Sequence, residues 1–288
     1  MLPRRTERLD QGCPQARHGD GQVSKNKIEK LSGFTVVTGA SSGIGLELAK
    51  LAAKDGCDLL LVADRDLAAA ATEARNCGAS SVATLECNLA TESGVEQLMD
   101  AIGSRPVDNL VANAGTGEGG AFLDQEWSKI AHTIHTNVTG TVSLIHRVGR
   151  AMRQRNQGRI LVTGSIVGDM PGAYNLIYNS TKAFIDDFCV GLATEIKDTD
   201  VVITCLLPGV TDTEFFEHAE MEDDTMVGQT DMKADPAKVA RDGYEALLDG
   251  ETKEVSGLMN KVQYFFADIL PAGIVSKMHE RMAKPDDA

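Results

Sequence analysis

The sequence predicts an α/β fold: one doubly wound parallel sheet of about seven strands with helices on both faces. Two observations carry that expectation. From Phe34 onward, short apolar runs alternate with longer amphipathic stretches, the order of βα units feeding a parallel sheet covered on both sides. Each run contains Val, Leu or Ile and is followed by Gly or polar residues, which suit the C-terminal end of a strand, where open α/β sheets bind ligands.

Taken in order, the first strand is expected at 34–38, and the Gly-rich turn from Thr38 to Gly45 leads from it into a helix at 43–55. The second strand, 58–63, ends at Asp64 and is followed by a helix at 66–76. The third, 82–87, runs into Asn88-Leu89 and a helix at 91–103; the fourth, 109–112, runs into Asn113-Ala114-Gly115 and a long helix at 124–154. The fifth, 159–163, precedes Ser165 and a helix at 175–198, and the sixth, 201–206, precedes Pro208-Gly209, with a last helix of the alternation at 236–249. No internal repeat is visible.

Three segments stand outside this pattern. Residues 1–32 have scattered Gly, Pro, Gln and Arg with no hydrophobic period and read as a disordered leader, lacking the apolar core of a secretory signal. Residues 211–235 are polar and acidic, a length of connection expected of a lid over a binding site. Residues 258–288 carry an apolar face, including Tyr264, Phe265, Phe266, Ile274 and Val275, and read as a helical extension packed on the core or on a sister subunit in preference to a membrane surface.

Composition narrows the partners. The 288 residues carry a net charge of -14; residues 1–32 hold seven Lys or Arg against four acids, so the remainder is at -17. That balance disfavours nucleic acid and anionic membrane as partners. No run reaches the roughly 18 apolar residues of a membrane span, and a cytoplasmic protein is expected. The six cysteines form no C-x-x-C pair, so reduced thiols and no metal are expected.

The candidate chemistry rests on spacing. Tyr178 and Lys182 are four apart, on one helix face, so an ammonium can lie beside the phenol and favour its ionisation. Gly39, Gly43 and Gly45, with Ser41, Ser42 and Ile44 between them, put unpaired backbone N-H groups where a pyrophosphate can lie. Asp64 follows Gly45 by nineteen residues, close to the interval at which a carboxylate meets the adenosine ribose of NAD; Arg65 could instead take the 2′-phosphate of NADP. NAD(H) is therefore expected over NADP(H). Singly, each of these residues also has a bland reading as a packing, turn or solvated-face residue; jointly, at this spacing, they point to a proton-transfer device beside a dinucleotide.

The chain resembles the classical short-chain dehydrogenase/reductase family, whose fold is Rossmann-like. Its cofactor motif matches Thr38 to Gly45, its strand-four motif Asn113-Ala114-Gly115, and its catalytic residues Asn137, Ser165, Tyr178 and Lys182. Its Pro-Gly-x-x-x-Thr segment matches Pro208, Gly209, Val210, Thr211 and Thr213, and the resemblance covers roughly 33–257. Where the family has Asp and an aliphatic residue after the third strand, this chain has Asn88-Leu89.

The resemblance implies a division of labour. Tyr178 would exchange a proton with a carbonyl or alcohol oxygen, and Ser165 would hydrogen-bond that oxygen. Lys182 would hold the nicotinamide ribose, and Asn137 would order a water leading to Lys182. Val210 and Thr213 would bind the carboxamide. It further implies a homodimer or homotetramer with the helices at 124–154 and 175–198 as candidate interfaces. Met170, Tyr174 and Phe215 lie in segments that should border the substrate, a small-molecule alcohol or ketone that their side chains make hydrophobic. A 3-oxoacyl-carrier-protein reductase is the alternative within enzymes, and a non-catalytic cofactor-binding regulator the alternative outside them. His132, His135 and His146 show no ligand pattern and are expected to be structural.

Overall fold

The structure, a computed structural model, describes residues 27–212 and 233–283. In chain order it consists of β1 (Phe34–Thr38), α1 (Gly43–Lys54), β2 (Asp58–Ala63), α2 (Ala68–Asn76), β3 (Ser81–Glu86), α3 (Glu92–Ile102), β4 (Asn109–Ala112), α4 (Trp127–Ile134), a π-helical turn (His135–Gly140), α5 (Thr141–Gln154), β5 (Gly158–Thr163), α6 (Leu176–Glu195), β6 (Val201–Leu207), α7 (Pro236–Asp249), β7 (Lys253–Val255), α8 (Leu258–Ile269) and α9 (Ala272–Ala283).

All seven strands are parallel, in the order β3-β2-β1-β4-β5-β6-β7. The chain winds outward from β1 in one direction and from β4 in the other, which leaves a crevice between the C-terminal ends of β1 and β4. The strands are apolar almost without interruption because both of their faces are covered. In β1, Val36 belongs to the same buried layer as Leu98 of α3, Leu144 of α5 and Ile185 of α6, whereas its neighbour Val37 belongs to the layer of Leu48 of α1, Ala70 of α2 and Tyr244 of α7. In β5, Ile160 and Val162 join the first layer and Leu161 the second. β3, at the edge, carries Ser81, Thr84 and Glu86 and is largely exposed.

Two expectations need revision. The helix expected at 124–154 is broken at 135–140. The buried amide of Asn137 is tied to Thr116, outside the helix, and the Thr141 hydroxyl donates to Thr136 O, five residues back at 3.2 Å. Gly140 closes the turn where a Cβ would stand 2.2 Å from Leu89 O. The packed chain also starts before residue 33: Ile28 N donates to Leu248 O at 2.9 Å, and Leu31 is fully buried with its N-H on Asp55. β7, three residues long, was too short to read as a strand from its pattern. The C-terminal extension forms two helices, α8 and α9, with Val275 and His279 buried.

Residues 1–26 of the expected leader and 213–232 of the expected lid lie outside the described residues. The two ends of that connection are clamped together, Asp212 N donating to Ala234 O and Ala234 N to Val210 O, both at 2.9 Å.

Candidate active site

The crevice between β1 and β4 is cross-linked by short polar side chains. Thr38 Oγ1, at the end of β1, accepts from Asn113 N and Ala114 N at 3.0 Å each. Asn113 returns its Nδ2 to Gly39 O at 3.2 Å, and Thr163 at the end of β5 donates to Asn113 Oδ1 at 2.9 Å. Gly39 has φ 62°, and a Cβ there would stand 2.9 Å from Ala114 Cα. Gly45 is tighter still: a Cβ would meet Gly39 O at 2.0 Å. Only glycine lets α1 start this close to the sheet.

Over this platform lies a cavity of about 900 Å³. At one end it is walled by Gly39, Ser41, Ser42, Gly43 and Ile44, the turn that opens α1. Ser42 caps that helix without a side-chain hydrogen bond, and its first turn holds no acid. Its amino-terminal N-H groups and the positive end of the helix dipole therefore face the cavity uncompensated, the environment an anion needs. Asp64, Arg65, Asn88 and Leu89 wall the adjoining corner, with Arg65 Nε on Asp64 Oδ1 at 3.0 Å. Asn88 Oδ1 accepts from Ala90 N at 2.9 Å.

The far end holds the proton-transfer candidates. Ser165, the N-cap of the short 3-10 turn after β5, lies beside Tyr178, and their side chains are hydrogen-bonded. Lys182, one turn further along α6, is buried; its Nζ donates to Thr163 O at 2.8 Å and stands 5.6 Å from the centre of the Tyr178 ring. Burial pushes the Tyr178 phenol up to about 12, against a smaller lowering influence from Ser165. Burial also brings the Lys182 ammonium down to about 8. The net direction is thus opposite to the expected lowering of the tyrosine pKa: desolvation of the phenolate sets it, and the Lys182 ammonium is itself destabilised by burial.

Asn137 sits behind this wall. Its Oδ1 accepts from Thr116 N at 2.9 Å, and its Nδ2 donates to Thr116 O at 2.8 Å and Thr181 Oγ1 at 3.0 Å. A Cβ on Gly115 would lie 3.4 Å from both Asn137 Oδ1 and Lys182 Nζ, so the three converge. Asn113, Ala114, Gly115, Pro208, Gly209, Val210 and Thr211 also line the cavity, as does Met170; Tyr174 does not. Tyr174 holds φ 61°, and its carbonyl accepts from Gly120 N. Thr213, Phe215, Phe216 and Met226 are outside the described residues.

The glycine cradle, the open helix terminus and the volume of the cavity fit a dinucleotide with its pyrophosphate at α1 and its nicotinamide beside Tyr178. Sequence reasoning missed several walls. His132 and Thr136 line the cavity, one turn apart, a spacing that was legible. Met259, Asn260 and Gln263 of α8 and His279 of α9 line it too, and no local pattern announces them, because their partners lie far away in the chain. Among the described residues, no group of His, Cys, Asp and Glu could hold a metal.

Comparison with known proteins agrees with this geometry. The family model described as short chain dehydrogenase matches residues 34–224. Human 17-beta-hydroxysteroid dehydrogenase type 1 is 30% identical over 204 residues, 68% of this chain and 62% of the relative. The 3-oxoacyl-[acyl-carrier-protein] reductase FabG of Vibrio cholerae is 29% identical over 238 residues, 78% of this chain and 96% of the relative. A solved short-chain dehydrogenase from Sphingobium yanoikuyae, in complex with NADPH, superposes with TM-score 0.74 at 27% identity, covering 89% of this chain and 99% of that one. The matched regions span 53, 59 and 62% of the first three curated relatives' own lengths.

Proposed function

Because the chain belongs to the short-chain dehydrogenase/reductase family, we propose that it is an oxidoreductase that uses a nicotinamide cofactor to interconvert a hydrophobic secondary alcohol and its ketone, with NAD(H) preferred over NADP(H). The observation that carries the reading is the convergence of Ser165, Tyr178 and Lys182 at one end of a cavity whose other end is an uncapped helix terminus.

A nicotinamide cofactor held by the α1 turn and Lys182 would supply or take up the hydride when bound. The chain's own residues manage the oxygen. With its pKa raised, Tyr178 is a protonated phenol at neutral pH, the form needed to donate to a developing alkoxide in ketone reduction. Ser165 holds the Tyr178 hydroxyl and is placed to donate to the same substrate oxygen as charge develops there. Lys182, anchored on Thr163 O, would hold the ribose hydroxyls of the bound cofactor. Asn137 fixes the π-helical turn and the loop at Thr116, and so holds the wall against which Lys182 rests. Met170, Leu258 and Met259 make the substrate end apolar.

Support for NAD(H) is the position of Asp64 on the cavity wall; the ion pair with Arg65 tempers it by placing a guanidinium alongside. Fluorescence titrations with NADH and NADPH test the preference, and Asp64→Ala should move it toward NADPH. A screen of hydrophobic ketones against small polyols tests the substrate class. Turnover of carrier-linked 3-oxoacyl substrates in preference to free ketones would favour the reductase alternative, and cofactor binding with no turnover of any substrate would favour the regulator. We further propose a cytoplasmic homodimer or homotetramer; Phe184 and Val190, exposed on α6, support such packing, and light scattering tests it.

A further inference from the structure

The family match ends at residue 224, yet the substrate end of the cavity is completed by residues well beyond it, Met259 and Gln263 of α8 and His279 of α9. His279 is 5% exposed and is bonded on both ring nitrogens, to Ala173 in the segment that joins Ser165 to Tyr178 and to Asn179 on α6. Its Nδ1 lies 3.0 Å from Ala173 O. A carbonyl only accepts, so Nδ1 carries the proton. Its Nε2 lies 3.2 Å from Asn179 Nδ2 and, in that neutral tautomer, accepts. Asn179 Nδ2 in turn donates to Met170 O at 3.0 Å. Burial lowers the His279 pKa, in keeping with the neutral ring.

The two anchored carbonyls, of Met170 and Ala173, bracket Gly172, which is pressed so closely on Asn179 that a Cβ would stand 2.2 Å from its Nδ2. Tyr174, held at φ 61°, follows directly, and Asn175, buried on the cavity wall, begins the turn that leads into α6 and Tyr178. The strained backbone is therefore fixed from one side by the C-terminal helix. We propose that His279 is a specificity-determining positioning residue: through Ala173 O and Asn179 it sets the path of residues 170–175, and with its own ring it closes the substrate end of the cavity, so that acceptance of bulky apolar substrates depends on α9. The inference rests on the oxidoreductase reading above and names the substrate wall of that same site.

Two variants of the full-length protein separate hydrogen bonding from packing. His279→Phe fills the space and makes neither bond, whereas His279→Gln keeps one donor and one acceptor. With a graded series of apolar ketones, His279→Phe should raise KM for the bulky members by about tenfold, the value of one to two hydrogen bonds. Its kcat for the smallest ketone and its NADH affinity should stay within about twofold, and His279→Gln should recover most of the loss. Amide exchange of residues 168–176 should quicken in the Phe variant only.

Equal KM values in wild type and both variants would overturn the proposal, as would parallel losses for small and bulky ketones together with cofactor binding, which mark a merely structural residue. If the wild type binds NADH and turns over no ketone, the reading of the substrate fails, and the exchange measurement still decides the positioning: quickened amides in His279→Phe with recovery in His279→Gln support it, and unchanged amides refute it.

Discussion

Lys182 Nζ gives its hydrogen bond to Thr163 O at 2.8 Å and stands 5.6 Å from the centre of the Tyr178 ring. The lysine is thus held by the sheet, at the end of β5, while the tyrosine is held by Ser165. Its burial makes the charged form costly. The folded pKa of about 8 lies below the free value of 10.5, so the cost is fully present below pH 8 and fades as pH rises toward 10.5. Lys182→Met should then be more stable than wild type at pH 7 by about 2 kcal/mol, the ~3 kcal/mol of a pKa shift this size less about one lost hydrogen bond. The advantage should shrink by pH 10. Denaturant midpoints at the two pH values check this, and turnover should be lost at both.

Tyr178 runs the other way. Its pKa of about 12 lies above the free value of 10, so the folded state keeps the proton where an unfolded chain would release it, and stability from this group is present below pH 10 and lost as pH rises toward 12. Burial pushes the phenols of Tyr244 and Tyr264 upward as well, so ultraviolet titration of the wild type should lack all three from the ionisation that the unfolded chain shows near pH 10, and Tyr178→Phe should remove one of the late-ionising groups. Tyr178→Phe should lower ketone reduction by at least about 100-fold while NADH binding persists. Ser165→Ala removes a hydrogen bond that lowers the phenol pKa and should shift it further upward.

How far the sequence disclosed all this depends on the range of the interaction. β1, β2 and β4 were legible because both faces of a parallel strand are buried, and the run of apolar residues in Val36 and Val37 needs no partner to be recognised. Tyr178 and Lys182 were legible because α6 itself sets their spacing. The break at 135–140 was not, since it follows from Asn137 reaching Thr116 across 21 residues. The sign of the Tyr178 shift was missed for a related reason: spacing reports the cation, and burial reports the whole fold. His279 was the least visible, its partners being 100 and 106 residues away.

The glycines give a paired test. Gly45→Ala would place a Cβ 2.0 Å from Gly39 O and 2.5 Å from Asn113 Nδ2, with backbone on one side and a bonded amide on the other. It should cost about 2–3 kcal/mol, as overpacking does, and should abolish NADH binding. Gly191, inside α6 with nothing within 4 Å of an added Cβ, is the control. Gly191→Ala should stabilise by about 0.5–1 kcal/mol through helix propensity and leave NADH binding intact. Thermal melts with and without cofactor compare the two.

Below the site, α8 is fastened to the domain by a charge. Lys253 Nζ of β7 donates to Asp186 Oδ2 at 2.8 Å and to Tyr264 Oη at 2.9 Å, and Tyr264 donates to Asp186 Oδ2 at 3.3 Å. Asp186 is 4% exposed, and its Oδ1 has no hydrogen-bond partner among the described residues, so the carboxylate depends on Lys253 for compensation. Lys253→Met leaves that charge buried and should cost about 3 kcal/mol. Tyr264→Phe removes both hydrogen bonds of its hydroxyl in the cluster but strands no charge, and should cost less, about 2 kcal/mol. In the double variant Lys253→Met, Asp186→Leu the stranded charge is gone, and most of the loss should be recovered. Urea midpoints of the four proteins decide whether the pairing or the volume of these side chains holds α8 in place: no recovery in the double variant would show that packing dominates.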